Sequence, residues 1–287
     1  MHWTGITPEQ PIGAIDSHAH LFRRDLPMLA GRRHTPEVDA LLSDYLALLD
    51  AHHLTHGLLV QPSFLGEDNS FMLAALQACP QRLRGVAVLA PTGNEVELAA
   101  LAADGICGIR LNLLGLALPE LADADWQRWF GLLRELGWHV ELHIESSRLE
   151  AATTPLLTSG CNLVVDHFGR PGPGDTGFDW LLKASKNHRL WVKLAAAYRS
   201  WPEQNGPDAC AAAQALLQAF SAERLLWGSD WPHTQHHSDF GSTLAALSDW
   251  VPDAAQRQKI LVDTPAQLFG FGSRLEHLRE DVGKSRP

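Results

Sequence analysis

Eight short apolar runs punctuate this chain, at 14–21, 57–63, 84–90, 107–113, 138–145, 162–168, 190–196 and 224–230. Each has the length of a buried strand, and most are followed by segments whose apolar residues recur with helical period. The first such helix is expected to take Thr35 as N-cap and Pro36 at its first position, with Leu41, Leu42, Tyr45, Leu48 and Leu49 as its apolar stripe. Others are expected at 68–78, 93–103, 123–136 (closed by Gly137), 207–222 and 253–268, while Pro155 interrupts the stretch 146–160. Eight strand–helix units without linker composition between them predict an α/β fold, a single-domain (β/α)8 barrel. An open doubly wound sheet is the competing arrangement, but no run is followed by G-x-G-x-x-G. The barrel domain is placed at 1–270, with 271–287 as a polar tail.

A chain of 287 residues that is 45% hydrophobic can fill such a core. Its 33 acidic against 23 basic side chains, a formal net charge of -10, argue against a nucleic acid or an anionic membrane as partner. No apolar stretch reaches the roughly 18 residues of a membrane span, and the N-terminus lacks a basic segment followed by an apolar run. The expectation is a soluble, cytoplasmic protein, with homo-oligomerisation open. Cys79, Cys107, Cys161 and Cys210 are far apart with no C-x-x-C, which excludes a zinc knuckle or redox motif and reads as isolated buried thiols.

In a barrel of this kind, chemistry gathers at the C-terminal ends of the strands. Period-two alternation would put Asp16, His18 and His20 on one face of the first strand. It pairs Gln61 with Ser63, Arg110 with Asn112, and Glu141 with His143 and Glu145. Asp166 and His167 end the sixth strand on opposite sides, Lys193 is in phase with Arg199, and Asp230 ends the eighth strand. So many inward charges cost several kcal/mol unless they are paired, metal-bound or solvated, which implies a functional mouth. Two imidazoles at i and i+2, completed by a carboxylate from a distant strand, can converge on one ion. His18, His20 and Asp230 are therefore candidate metal ligands, with His143 or His167 assisting. His52, His53 and His56 read as helix-end residues and His236 and His237 as surface, whereas His34 and His233 lie nearer the mouth.

The motifs D-S-H-A-H (16–20), V-V-D-H-F-G-R-P (164–171) and W-G-S-D-W-P-H (227–233) each fall at an expected strand end. Together with G-L-L-V-Q-P-S and V-K-L-A-A-A-Y-R they resemble the amidohydrolase superfamily. The likeness is to its branch of 2-pyrone-4,6-dicarboxylate lactonases and related sugar-lactone hydrolases, and it spans about Ile15 to Phe269. The resemblance implies hydrolysis of the ring ester of a small lactone, with His18, His20 and His167 as catalytic histidines and Asp230 as general base. It implies substrate binding by Arg110, Arg199 and Ser63, with His34 and His143 at positions where the branch carries aromatic residues. One divalent ion, zinc or manganese, or none, would complete the site.

Three departures from the branch stand out. Many amidohydrolases bridge two metals with a strand-four lysine, but Arg110 stands here, and a guanidinium cannot ligate a cation, so a two-metal centre is not expected. The arginine the branch carries shortly after that strand falls in L-G-L-A-L, so its second carboxylate clamp is expected to be missing and the pyrone dicarboxylate is a doubtful substrate. The K-Y-T-P loop reads R-H-T-P. Two other readings stand beside the lactonase: a metal-dependent decarboxylase of an aromatic or unsaturated acid, and a catalytically silent binder of a small carboxylate.

Overall fold

Eight parallel strands pair in chain order: β1 (Ala14–Ala19), β2 (Leu54–Val60), β3 (Leu83–Ala87), β4 (Ile106–Asn112), β5 (His139–His143), β6 (Asn162–Val165), β7 (Leu190–Ala195) and β8 (Leu225–Gly228). They are seen in a computed structural model that describes residues 11–272 apart from 173 and 175. Beyond β8 the chain turns back onto β1: Asp230 N–H donates to His18 C=O and His20 N–H to Trp231 C=O, each at 2.8 Å. These contacts draw the sheet into a nearly closed barrel, the expected single-domain (β/α)8 fold.

The helices are α1 (Leu42–Ala51), α2 (Ser70–Ala78), α3 (Glu95–Ala103), α4 (Ala124–Glu135), α5 (Leu149–Thr158), α6 (Gly177–Ala184), α7 (Pro207–Phe220), α8 (Phe240–Trp250), α9 (Ala254–Gln258) and α10 (Thr264–Phe269). A π turn at Lys259–Asp263 joins the last two, where one continuous helix was expected. Helix α3 starts at a reciprocal cap in which the Asn94 side chain accepts from Val96 and Glu97 N–H and Glu97 reaches back to Asn94 N–H. Helix α5 runs through Pro155 without a break. Helices α6 and α8 escape the periodicity reading, α6 because it spans only 8 residues.

The first helix begins at Leu42, not at Pro36. Ala40 instead pairs antiparallel with Phe22 (N···O 3.0 and 2.9 Å), so the segment between β1 and α1 folds over the strand ends and forms a wall of the site. Strand β2 likewise starts at Leu54 rather than at residue 57. His56, expected at a helix end, is therefore a buried strand residue whose ring lies 4.9 Å from that of Phe271.

Two apolar layers hold the barrel. The larger lies between strands and helices and includes Trp129, Phe130 and Trp227. The smaller gathers Ile15, Leu58, Val60, Val86, Val164 and Leu226 with Phe269 and Phe271. Side chains from β1, β2, β3, β6 and β8 can meet only inside the barrel, so this cluster is its floor. Phe271, at the first position assigned to the tail, is buried there, and 273–287 lie outside the described residues.

Since Ile15 faces inward, Asp16 faces out. Its carboxylate accepts from Tyr45 Oη of α1 (3.1 Å), Ser229 Oγ (2.6 Å) and Ser229 N–H (2.8 Å). Between Asp16 and Ala19 the ladder slips, three steps on β1 matching two on β2 (Asp16 opposite Gly57, Ala19 opposite Leu59). This irregularity turns His18 back inward. Asp16 thus does not share a face with His18, and its role is to tie α1, β1 and the end of β8 together. Among the described residues no helix is long and apolar enough to cross a membrane. All four cysteines are free, but only Cys161 is fully buried.

Candidate active site

Immediately above the apolar floor lies a buried ionic layer built from inward positions of β4, β5, β6 and β7. Lys193 Nζ donates to Glu141 and lies 3.7 Å from Asp166 Oδ1 and 3.1 Å from His18 Nδ1. Arg110 donates to Asp166 Oδ2 (3.3 Å) and to Gln61 C=O (3.2 Å). Two carboxylates thus face two cations, which makes their shared desolvation tolerable. Burial and Asp166 push Glu141 upward, yet the Lys193 ammonium, a hydrogen bond with His139 and the charge of His18 together keep it below its ordinary range. For Asp166, burial is likewise overcome, here by His18 and Lys193.

The next layer toward solvent holds Asp230. One of its oxygens, Oδ2, accepts from Tyr198 Oη (2.7 Å) and from Arg199 through Nε (3.2 Å) and a terminal nitrogen (2.8 Å). The other, Oδ1, has no donor and lies 3.4 Å from His20 Nε2 and 3.6 Å from His18 Nε2. Burial alone would raise the carboxyl pKa, but Arg199 and His167 hold it well below the usual carboxylate range. Asp230 has a left-handed backbone (φ 53°), as do His167 (54°) and Ala196 (52°). Non-glycine residues in that region each cost about 1–3 kcal/mol, and here they cluster at the ends of β6, β7 and β8.

His18, His20 and His167 lie around Asp230, and the His143 ring packs edge-on against that of His167. His20 Nδ1 lies 2.7 Å from Val60 C=O. A carbonyl only accepts, so the proton sits on Nδ1 and Nε2 is left as an acceptor. Burial pushes His20 down to about 4 and drives His143 and His167 well below their ordinary values, so the rings are neutral near pH 7. Two acceptors, His20 Nε2 and Asp230 Oδ1, therefore face one another across 3.4 Å, a spacing suited to a shared water or cation.

Ligand atoms of His18, His167 and Asp230 lie within 4.8 Å of one another, as do those of His143, Asp166 and His167, and of His18, Glu141 and Asp166. The last group already contains the Lys193 ammonium. In the first, His18 Nε2, both nitrogens of His167 and Asp230 Oδ1 are buried and without a hydrogen-bond partner, so that group fits a divalent ion. His20, expected in the ligand set, belongs to none of the three groups and meets this one only through Asp230.

Above these side chains opens a cavity of about 320 Å³. Ser63, His34, Arg110, His143, Arg199 and His20 line it, whereas His18, His167 and Asp230 are buried beneath. Both arginines assigned to substrate are already paired: Arg110 with Asp166 and Arg199 with Asp230. His236 and His237, expected as plain surface, are exposed but also line the mouth, and the His237 ring stacks on Tyr198 at 4.1 Å. Sequence reasoning missed Tyr198, which shares a short 3-10 turn with Arg199 and cannot be placed by strand alternation. It also missed Arg33, whose neighbours lie far away in the chain.

An eightfold barrel with buried imidazoles and a carboxylate at its strand ends is the frame of an enzyme active site. The chain belongs to the amidohydrolase family, whose profile matches residues 15–271. It is similar to the 4-sulfomuconolactone hydrolase of Rhizobium radiobacter, at 32% identity over 272 residues and 91% of each chain. Among solved structures it resembles a Pseudomonas putida protein provisionally assigned as a 2-pyrone-4,6-dicarboxylic acid hydrolase (42% identity, TM-score 0.84, 92% of this chain and 99% of that one). A similarly assigned protein of Acinetobacter baumannii, with citric acid bound, aligns at 37% identity and TM-score 0.85 over 91% and 100% of the two chains. A 2,6-dihydroxybenzoate decarboxylase shares the fold alone, at 15% identity and TM-score 0.65.

Proposed function

We propose that this protein hydrolyses the ring ester of a small lactone bearing carboxylate or hydroxyl groups, with Asp230 as general base. The observation that carries this reading is the split environment of Asp230, which has one oxygen held by Tyr198 and Arg199 and the other free among the histidines. A water at the free oxygen gives its proton to Asp230 as its oxygen bonds to the ester carbonyl carbon. When the ring C–O bond breaks, Asp230 returns that proton to the departing oxygen, leaving an acid and an alcohol or enol. Because Arg199 keeps the carboxylate ionised, it is ready to act as a base near neutral pH.

His18 and His167, buried beneath the cavity, polarise the carbonyl, while His20 Nε2 accepts a hydrogen bond from the second O–H of the attacking water. Arg110, Arg199, Ser63, His34 and His143 orient the substrate from the cavity wall. A zinc or manganese ion held by His18, His167 and Asp230, with His20 beside Asp230, would supply Lewis-acid polarisation. The free cysteines suit a reducing cytoplasm. The names of the relatives favour a lactone over decarboxylation, the activity named for a neighbour that shares the fold alone.

The test is acid release on a lactone panel that includes 2-pyrone-4,6-dicarboxylate and aldonolactones, with elemental analysis of the purified protein and assays before and after chelation. Turnover should fall about 10²–10⁴-fold in Asp230→Asn, the usual contribution of a general base. Absence of acid from every lactone, with and without added zinc or manganese, would overturn the reading.

A further inference from the structure

Three arginines line the cavity, and no aspartate or glutamate lines it with them. Arg110 and Arg199 each spend their charge on a buried carboxylate. Arg33, from the segment between β1 and α1, does not. One of its terminal nitrogens donates to Asn112 Oδ1 at 2.8 Å and the other to Leu114 C=O. Both acceptors are neutral, so they fix the guanidinium without cancelling its charge. Glu145 also attracts it, but that carboxylate is engaged by Gly115 N–H (2.6 Å) and by Arg148 (2.8 Å). Among the described residues no carboxylate forms an ion pair with Arg33.

The position is informative. Leu114 opens the L-G-L-A-L stretch from which the second carboxylate clamp was expected to be missing. The backbone of that stretch instead holds an arginine that arrives from 81 positions earlier in the chain. We propose that Arg33 is the specificity-determining residue of the cavity, selecting lactones that carry an acidic substituent by pairing with it at the mouth. This rests on the lactone-hydrolase reading and adds to it the group that recognises charge. Asn112 is then a positioning residue, since it holds the guanidinium in place from the end of β4.

Two measurements test the assignment on the intact protein. The first compares KM for 2-pyrone-4,6-dicarboxylate with that for the 4- and 6-monocarboxylates in wild type, Arg33→Met and Arg33→Lys. In Arg33→Met the dicarboxylate KM should rise at least about tenfold more than that of one monocarboxylate, the scale of a charge-assisted hydrogen bond, with partial recovery in Arg33→Lys. Arg32→Met is the control: Arg32 bonds to Thr35 and Leu29 and does not line the cavity, so the ratio should stay put. The second is calorimetric binding of isophthalate and benzoate, which resist hydrolysis. Isophthalate should bind wild type more tightly than benzoate does, and that preference should vanish in Arg33→Met. Lactone turnover with an unchanged KM ratio overturns the role of Arg33 and leaves the hydrolase reading intact. Arg33-dependent isophthalate binding without turnover of any lactone supports the clamp and rejects the hydrolase. No preference for isophthalate in wild type, or one that Arg33→Met keeps, also overturns the proposal.

Discussion

Asp230 keeps its two oxygens in different company: Tyr198 and Arg199 take one, and the other has no donor. The arrangement has a measurable consequence at the level of this one residue. Burial works to raise its pKa, and Arg199 is the leading group that holds it down. With Arg199→Met that restraint goes, and an opposite charge at such range is worth about 1–3 pKa units. A base must be deprotonated to act, so the acid limb of kcat/KM against pH should move to higher pH in Arg199→Met. Tyr198→Phe removes one hydrogen bond and no charge, and should shift the limb in the same direction by less. Superimposable limbs for wild type and Arg199→Met would show that another group sets the limb.

At the scale of elements, the seam between β8 and β1 matters most, because it brings Asp230 and His18 together. Gly228 lies at that seam, and a Cβ there would sit 2.5 Å from His18 Cβ and 2.9 Å from His18 N. Neither neighbour can yield without moving β1. Gly228→Ala should therefore destabilise the fold by about 1–3 kcal/mol, the usual range for overpacking. It should also lower kcat in protein that remains folded, since the same displacement parts His18 from Asp230. Thermal unfolding and turnover measured together check this, and wild-type values of both would mean that the seam is looser than drawn. The slip in β1 belongs to this scale too. Period-two alternation, read locally, aligned Asp16 with His18, but the ladder against β2 gains a residue and separates them.

Across the whole molecule, stability should depend on acid well before the carboxylates titrate. Burial pushes His20 and His56 down to about 4 in the folded state, against about 6.5 in an unfolded chain. Between those values the unfolded state binds more protons, so stability rises with pH and is lost on acidification from about 6.5 toward 4. His20, which is fully buried, accounts for about 3 kcal/mol of this at most. The depressed carboxylates Asp166 and Asp230 act with the same sign but only below about pH 4, where unfolded carboxylates protonate. The melting temperature should fall steadily from pH 7 to pH 4.5. A flat profile across that window would show that these imidazoles are not held neutral by the fold.

The sequence alone determined the eightfold alternation and the strand faces of Arg110, Glu141, His143 and Lys193, because both depend on local periodicity that burial makes visible. It also put His18, His20, His167 and Asp230 at strand ends. Tertiary structure decided which atoms meet. The β1 irregularity depends on its partner strand, and the grip of Tyr198 and Arg199 on Asp230 depends on a turn with no periodic signature. The chain between Phe22 and Ala40 pairs with itself instead of starting a helix, which lets Arg33 reach Asn112. Alternation specifies a direction along one strand, whereas a site is made of distances between strands and loops, and only closure of the barrel sets those.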